Sequence, residues 1–176
     1  MWTLIDSPAG PLRIVAHDDA LTAVEFTGAP PADAGPRSSM RVAAARAAGR
    51  PVGERADDAA LMVEAARQLA AYFARDLEEF DLPLRPVGTP FQERVWTELR
   101  LIGYGRTVSY GELADRLGLV RGAARAVGAA NGRNPIGIVI PCHRVVGAAG
   151  SLSGYAGGVE RKRMLLSLEQ DALVEV

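Results

Sequence analysis

"SYGELADRLGLVRGAARAVGAANG", residues 109–132, reads as two short helices joined by a glycine-containing turn. Ser109 followed three residues later by Glu112 is a capping box, in which each side chain satisfies the other residue's orphan N–H at a helix start. That helix is expected to run through Leu117 and to stop at Gly118. A second helix should begin near Gly122 and end at about Gly132. Helix, short turn, helix is the layout of a helix-turn-helix, so the C-terminal part of the chain is expected to be mainly helical.

The second helix has an unusual composition. A helix that reads bases in the major groove normally presents long polar side chains. Here Ala123, Ala124, Ala126 and Gly128 leave a nearly bare surface with one long side chain, Arg125, in its midst. A bare helix suits close approach to a narrow groove, and a single projecting residue suits entry into the base stack. Small residues equally permit tight helix packing, and from this segment alone both readings stand.

On the N-terminal side, Thr89-Pro90-Phe91-Gln92 is another capping box, with proline at the first helical position. Phe91, Val95 and Leu99 then share one face. On the far side, a last helix is expected over 159–168, with Met164, Leu165 and Leu168 inward. The run "DLPLRPVGTP" (81–90) holds three prolines and a glycine, which places a domain boundary there, between an N-terminal unit 1–86 and a C-terminal unit 87–176. Residues 2–5, 12–16 and 21–26 read as three short strands, with turn chemistry at Ser7-Pro8-Ala9-Gly10 and Asp18-Asp19. Asp57 or Asp58 is expected to cap a helix through about Arg75, with Leu61, Ala65, Leu69 and Tyr72 or Phe73 at helical spacing. Residues 28–56 are rich in Ala, Gly, Pro and Arg and lack aromatics, so a solvated loop insert is expected, with a short helix at 40–48.

Composition narrows the function classes. Hydrophobic content of 48% and charged content of 23% are ordinary for a soluble globular chain of 176 residues. No apolar run approaches the ~20 residues that span a bilayer, and the first residues lack a basic region and a long apolar stretch, so a cytoplasmic protein is expected. One cysteine and two histidines cannot assemble a cysteine-rich zinc site or an internal disulfide, so no metal or cofactor is expected. Residues 1–86 carry nine arginines against thirteen acidic residues, whereas 87–176 carry eleven basic against eight acidic. A polyanion would therefore meet the second part of the chain.

The single thiol lies in "IVIPCHRVVG" (138–147). A buried cysteine is commonly an inert core residue. Against that, Pro141 fixes the backbone before Cys142, and His143 and Arg144 bring charge into an apolar run. A histidine base would raise the thiolate fraction and produce a soft nucleophile. If the run is a strand, Cys142 and His143 point to opposite faces. Contact between them then needs a bridging water or a locally non-extended backbone.

"IPCHRVV", preceded by "ARAVG" and "NP" and followed by "GYAGG", resembles the O6-alkylguanine-DNA alkyltransferases, the methylated-DNA–protein-cysteine methyltransferases. The resemblance is close from about 88 to 169 and looser before it, least of all in 28–56. It implies an α/β protein: a small N-terminal ribonuclease H-like domain of sheet plus helix, then a mainly helical C-terminal domain of winged-helix/helix-turn-helix type. It implies DNA repair by irreversible, single-turnover transfer of an alkyl group from O6-alkylguanine in double-stranded DNA to Cys142, with O4-alkylthymine as a further candidate substrate. It implies no cofactor, no metal and no membrane, and a monomer, with cooperative assembly on DNA left open.

By the same resemblance, His143 would act as base through a water, oriented by Glu169. Tyr110 would contact N3 of the flipped guanine and rotate the phosphate outward. Arg125 would fill the vacated place in the duplex, on a helix whose small residues 123, 124, 126 and 128 line the groove. Asn134 would be a hinge between the recognition helix and the active-site strand. The carbonyls of Cys142 and Val145 would accept from the exocyclic amine of guanine, the Ala156 amide would reach O6, and Tyr155 would line the pocket. Ala156 aligns with a position where some relatives carry serine, so a hydroxyl contribution is absent here.

The physical chemistry agrees with these implications. Chemistry at a guanine O6 requires extruding the base, at a cost of a few kcal/mol. No second nucleophile is on hand to release the resulting thioether, so one thiol means one turnover. Three other readings carry different signatures. A lesion-recognition module would lack the acceptor cysteine. A DNA-binding regulator would need a dimer interface or sensor domain. A Cys-His hydrolase would turn over without DNA.

Overall fold

Antiparallel strands β1 (Trp2–Ile5), β2 (Leu12–His17) and β3 (Ala20–Phe26) pair in that order. The computed structural model describes residues 1–28, 53–120, 122–152 and 154–171; the helix expected at 40–48 and most of the 28–56 insert lie outside them. Leu12, Ile14 and Ala16 alternate inward along β2, as the twofold period of a strand requires. Ser7–Gly10 closes the first hairpin, with the Gly10 N–H donating to Ser7 O at 2.9 Å. The second hairpin turns at Asp18, whose φ of 51° lies in the left-handed region that Asp tolerates better than most residues.

Helix α1 (Ala60–Phe73) buries Met62, Ala65, Leu69 and Tyr72. The expected aspartate cap does not form. The N-cap is Ala59, without a side-chain bond. Asp57 instead accepts from Thr3 Oγ1 at 2.6 Å and from Arg55 Nε at 2.9 Å. Its carboxylate ties the approach to the helix to β1 rather than to the first helical turn.

The free edge of β3 is covered twice. Leu21 N–H donates to Pro83 O at 2.8 Å and Arg85 N–H to Leu21 O at 2.8 Å. Further along, Val24 N–H donates to Pro135 O at 3.0 Å and Gly137 N–H to Val24 O at 3.1 Å. Prolines lack the N–H but supply carbonyls, so they serve as one-sided partners at a sheet edge. The proline-rich connection and the segment leading to the thiol are thus stitched to the same strand.

The C-terminal part contains α2 (Pro90–Leu99), α3 (Tyr110–Arg116), α4 (Ala124–Asn131) and α5 (Val159–Asp171), with two two-residue strands, β4 (Val108–Ser109) and β5 (Val145–Val146). Both capping boxes form. Thr89 Oγ1 accepts from Gln92 N at 3.3 Å while Gln92 Oε1 accepts from Thr89 N at 2.9 Å. Ser109 Oγ accepts from Glu112 N at 3.1 Å while Glu112 Oε2 accepts from Ser109 N at 2.6 Å. Helix α2 packs on α4 and bonds to it through buried Trp96, whose indole N–H donates to Ala130 O at 3.0 Å. On α5 Leu165 is buried and Met164 and Leu168 are half-buried, but Lys162 and Glu169 are fully buried as well. Among the described residues no helix is long and apolar enough to cross a membrane.

Residues 138–141 do not form the strand expected around the thiol. Ile138 has φ 71°, and Cys142–Arg144 is one turn of 3-10 helix that feeds directly into β5. Successive close bonds explain the departure: Val139 N–H to Gly137 O at 2.9 Å, Ile140 N–H to Ile136 O at 3.0 Å, and Cys142 N–H to Ile140 O at 2.8 Å.

A test of this packing lies at Gly88, before α2. A Cβ there would fall 2.4 Å from a ring carbon of Trp96, so Gly88→Ala must shift the indole that bonds Ala130. Urea denaturation should show a loss of about 1–3 kcal/mol; unchanged stability would mean that the α2–α4 contact is loose.

Candidate active site

The parallel pairing of β4 with β5 sets Val108 opposite Val145 and Ser109 opposite Val146. Strand β4 runs straight into α3, so Tyr110 occupies its first position, and the 3-10 turn that carries Cys142 runs straight into β5. Tyr110 and Cys142 thereby come within electrostatic reach of each other. Cys142 is buried, with 5% of its surface exposed.

Glu169, on α5, is fully buried. Its Oε1 meets His143 Nε2 at 2.7 Å and accepts from Tyr72 Oη at 2.7 Å and Arg144 Nη2 at 3.1 Å. Its Oε2 accepts from Arg144 Nε at 2.9 Å and from Gly105 N at 3.2 Å. Burial by itself would push this carboxyl up; the hydrogen bond from His143 and the hydrogen bonds and charge of Arg144 outweigh it and hold the carboxyl at about 2. Burial pushes the His143 imidazole below its ordinary range despite Glu169, so the ring is neutral near pH 7. A neutral imidazole has one N–H. With Nε2 donating to Glu169, Nδ1 is left as an acceptor, and it has no protein hydrogen-bond partner among the described residues.

Desolvation pushes the Cys142 thiol up, while Asn134, Lys162 and the local backbone N–H groups pull it down. Lys162 is a buried ammonium whose Nζ donates to Val145 O at 2.6 Å and lies 5.9 Å from the Tyr110 ring centre. Burial brings its pKa down to about 8, and the nearby Cys142 works against that fall. The Tyr110 phenol is pushed up by burial and by Cys142, so it stays protonated at neutral pH. Tyr155, buried and within hydrogen-bonding reach of Cys142, is held well above its ordinary value, first by burial. Its ring meets Phe26 of β3 edge-on at 6.5 Å.

The carbonyls expected to face the amine of a guanine are already engaged. Cys142 O accepts from Asn131 Nδ2 at 3.2 Å and from the Val145 N–H. Val145 O accepts from Lys162. Ala156 is half-buried next to Tyr155. Asn134 Nδ2 donates to Ile140 O at 2.7 Å and its Oδ1 accepts from Ile136 N at 3.0 Å. It braces the irregular approach to the thiol, and the direct bond from α4 comes from Asn131. On α4, Arg125 and Ala126 are exposed and Ala123, Ala124 and Gly128 half-buried. A Cβ at Gly128 would sit 3.6 Å from the Tyr110 ring, an ordinary van der Waals contact, so this part of the helix lies against the tyrosine.

Sequence reasoning missed Tyr72, Asn131, Arg144 and Lys162 as parts of this site. Tyr72 reads as a core residue of an amphipathic helix. Lys162 sits in the charged run "ERKR", where a solvated face is the ordinary expectation. Only the arginine, adjacent to the Cys-His pair, carried a visible signal.

Comparison with known proteins gives the same picture over both parts of the chain. Residues 1–86 match the family model described as the ribonuclease-like domain of 6-O-methylguanine DNA methyltransferase, and residues 90–171 match the DNA binding domain of the same family. A methylated-DNA–protein-cysteine methyltransferase of Mycobacterium tuberculosis is 47% identical over 169 residues, covering 96% of this chain and 92% of that protein. A protein of the same name from Methanosarcina acetivorans is 41% identical over 168 residues, covering 96% and 97%. A crystal structure of Mycobacterium tuberculosis OGT in complex with DNA superposes with a TM-score of 0.81 at 44% identity, covering 97% of this chain and 93% of that one.

The buried carboxylate sets an acid limit on stability. A carboxyl moved from 4.5 to about 2 stabilises the fold fully above its ordinary value and loses that contribution as pH falls toward 2. His143, held neutral in the fold, adds to the same loss because unfolding lets it take up a proton. Glu169→Gln leaves Arg144 buried without its counter-charge, so urea denaturation at neutral pH should show a loss of about 3–5 kcal/mol. The variant should also show a flatter decline in acid than the parent. Parallel acid profiles would mean that Glu169 is not the titrating anchor.

Proposed function

The chain belongs to the methylated-DNA–protein-cysteine methyltransferase family, and from that membership we propose that it repairs O6-alkylguanine in double-stranded DNA by moving the alkyl group onto Cys142. The observation that carries the assignment is the 2.7 Å contact of His143 Nε2 with Glu169 Oε1, which leaves Nδ1 without a hydrogen-bond partner among the described residues and lies one residue from the chain's only cysteine. DNA as partner is supported by the DNA-binding family model and by the solved relative that holds DNA.

In this reading the Cys142 proton passes through a water to His143 Nδ1, and Glu169 stabilises the imidazolium that forms. The thiolate attacks the alkyl carbon, the carbon–O6 bond breaks, and its electron pair stays on the guanine. Tyr110, protonated at neutral pH, donates to N3 of the departing base, while the Ala156 amide faces O6. Lys162 favours the thiolate by its charge and holds the Val145 carbonyl in place. Of the two carbonyls assigned to the guanine amine, Cys142 O already takes two donors, whereas Val145 O takes the Lys162 ammonium. Tyr155 walls the alkyl pocket, and Asn134 keeps the thiol segment folded. The product is a thioether with no nucleophile to release it, so each chain acts once. O4-alkylthymine offers the same alkyl–oxygen bond and is a further substrate in this reading.

The small-residue surface at α4, exposed at Arg125 and Ala126 and half-buried at 123, 124 and 128, supports entry into the minor groove, with Arg125 as the wedge and residues 123, 124, 126 and 128 allowing close approach. The protein is read as a monomer that works from residues 87–176, held to the 1–86 unit through the β3 edge.

Cys142→Ala should abolish methyl transfer while leaving duplex binding intact, because binding rests on α4 and on phosphate contacts. Transfer that survives in the variant would sink the mechanism. Arg125→Ala should slow single-turnover transfer on matched duplex far more than on the free alkylated base, with an intermediate loss opposite a mismatch. Equal losses on all three substrates would make Arg125 a structural residue.

A further inference from the structure

The catalytic base is assembled across both parts of the chain. Tyr72 belongs to α1, 97 residues before Glu169, yet its hydroxyl ends on the same carboxylate oxygen that holds His143. Both side chains are fully buried. The ring is fixed by an aromatic cluster, with centres 5.3 Å from Phe73, 5.4 Å from Phe80 and 6.1 Å from Tyr104. A buried phenol bonded to one oxygen of a carboxylate draws charge from that oxygen. The other two donors on that oxygen, His143 Nε2 and Arg144 Nη2, then feel a weaker acceptor.

We infer that Tyr72 is a positioning residue for the alkyl transfer: through its hydrogen bond to Glu169 Oε1 it lowers the proton affinity of His143 and fixes the orientation of the imidazole. This rests on His143 being the base for Cys142. The hydroxyl remains a donor throughout, since burial and the adjacent Glu169 keep it protonated far above neutral pH. The other ionisable groups around the dyad are Arg144 on the 3-10 turn, Lys162 on α5, Tyr104 on the loop after α2, Tyr155 before α5, and Cys142 itself. Arg144 and Lys162 are cations that already disfavour an imidazolium, and Tyr72 adds to that bias through Glu169 without carrying charge.

A matched pair of substitutions isolates the effect. Tyr72→Phe removes the hydroxyl and leaves the ring in its cluster. Tyr104→Phe removes a second buried hydroxyl from the same cluster, one with no hydrogen-bond partner among the described residues. Single-turnover methyl transfer from an alkylated duplex is measured against pH, and the His143 imidazole is titrated by NMR in the same full-length proteins. In Tyr72→Phe the acid limb of the rate and the imidazole titration should both move up by about half a pH unit, a roughly threefold lower rate well below the limb. Tyr104→Phe should leave both where they are in the parent. An unmoved limb in Tyr72→Phe, or an equal shift in both variants, overturns the inference. A parent protein that places no methyl on Cys142 overturns the functional reading instead, and the two failures are distinct.

Discussion

A carboxylate enclosed by protein is costly unless its lone pairs are met, and at Glu169 they are met from three directions. The 3-10 turn brings His143 and Arg144, the loop after α2 brings the Gly105 N–H, and α1 brings Tyr72. Arg144 is tied further by its bond to Ile102 O at 2.5 Å. Each donor is fixed by an element with its own reasons for being there, so the charge at Glu169 holds α1, α5 and the thiol segment in one register. The same bonds decide which nitrogen of His143 carries the proton. In the proposed reaction, the chemistry of Cys142 therefore depends on the anchor that organises the fold around it.

The edge of β3 does a related job for the backbone. By taking the segment 135–137 as a partial strand, it aims the chain into the close turns that end at the thiol. Asn134 and Asn131 then hold that irregular path from within. An extended strand would have set His143 on the face opposite Cys142. The 3-10 turn removes that objection, because consecutive residues in a tight turn are not constrained to opposite sides.

Local signals were legible in the sequence where local physics decides. The Thr89 and Ser109 capping boxes, the proline at position 90 and the glycine at 118 announce their helices, and the alternation in β2 announces its sheet. The cysteine, the histidine and the small-residue helix were legible through their company in a compact set of motifs. What stayed hidden depends on distant partners. Asp57 looked like a cap because nothing local reveals Thr3, from β1, as its partner. Lys162 looked solvated, and Tyr72 looked like ordinary core, because the carbonyl and the carboxylate that they serve arrive from elsewhere in the chain. The run at 138–141 looked like a strand because apolar content does not distinguish an extended segment from a buried irregular one.

The central claim is that one buried thiol, served by the Glu169–His143 pair, accepts one alkyl group and keeps it. The most direct measurement is mass spectrometry of the unmodified protein after prolonged incubation with an excess of duplex bearing a single O6-methylguanine. The account predicts one added methyl per chain, located on the peptide that contains Cys142, with no further rise as incubation continues. A methyl on any other residue, or repaired DNA in excess of protein, would contradict it.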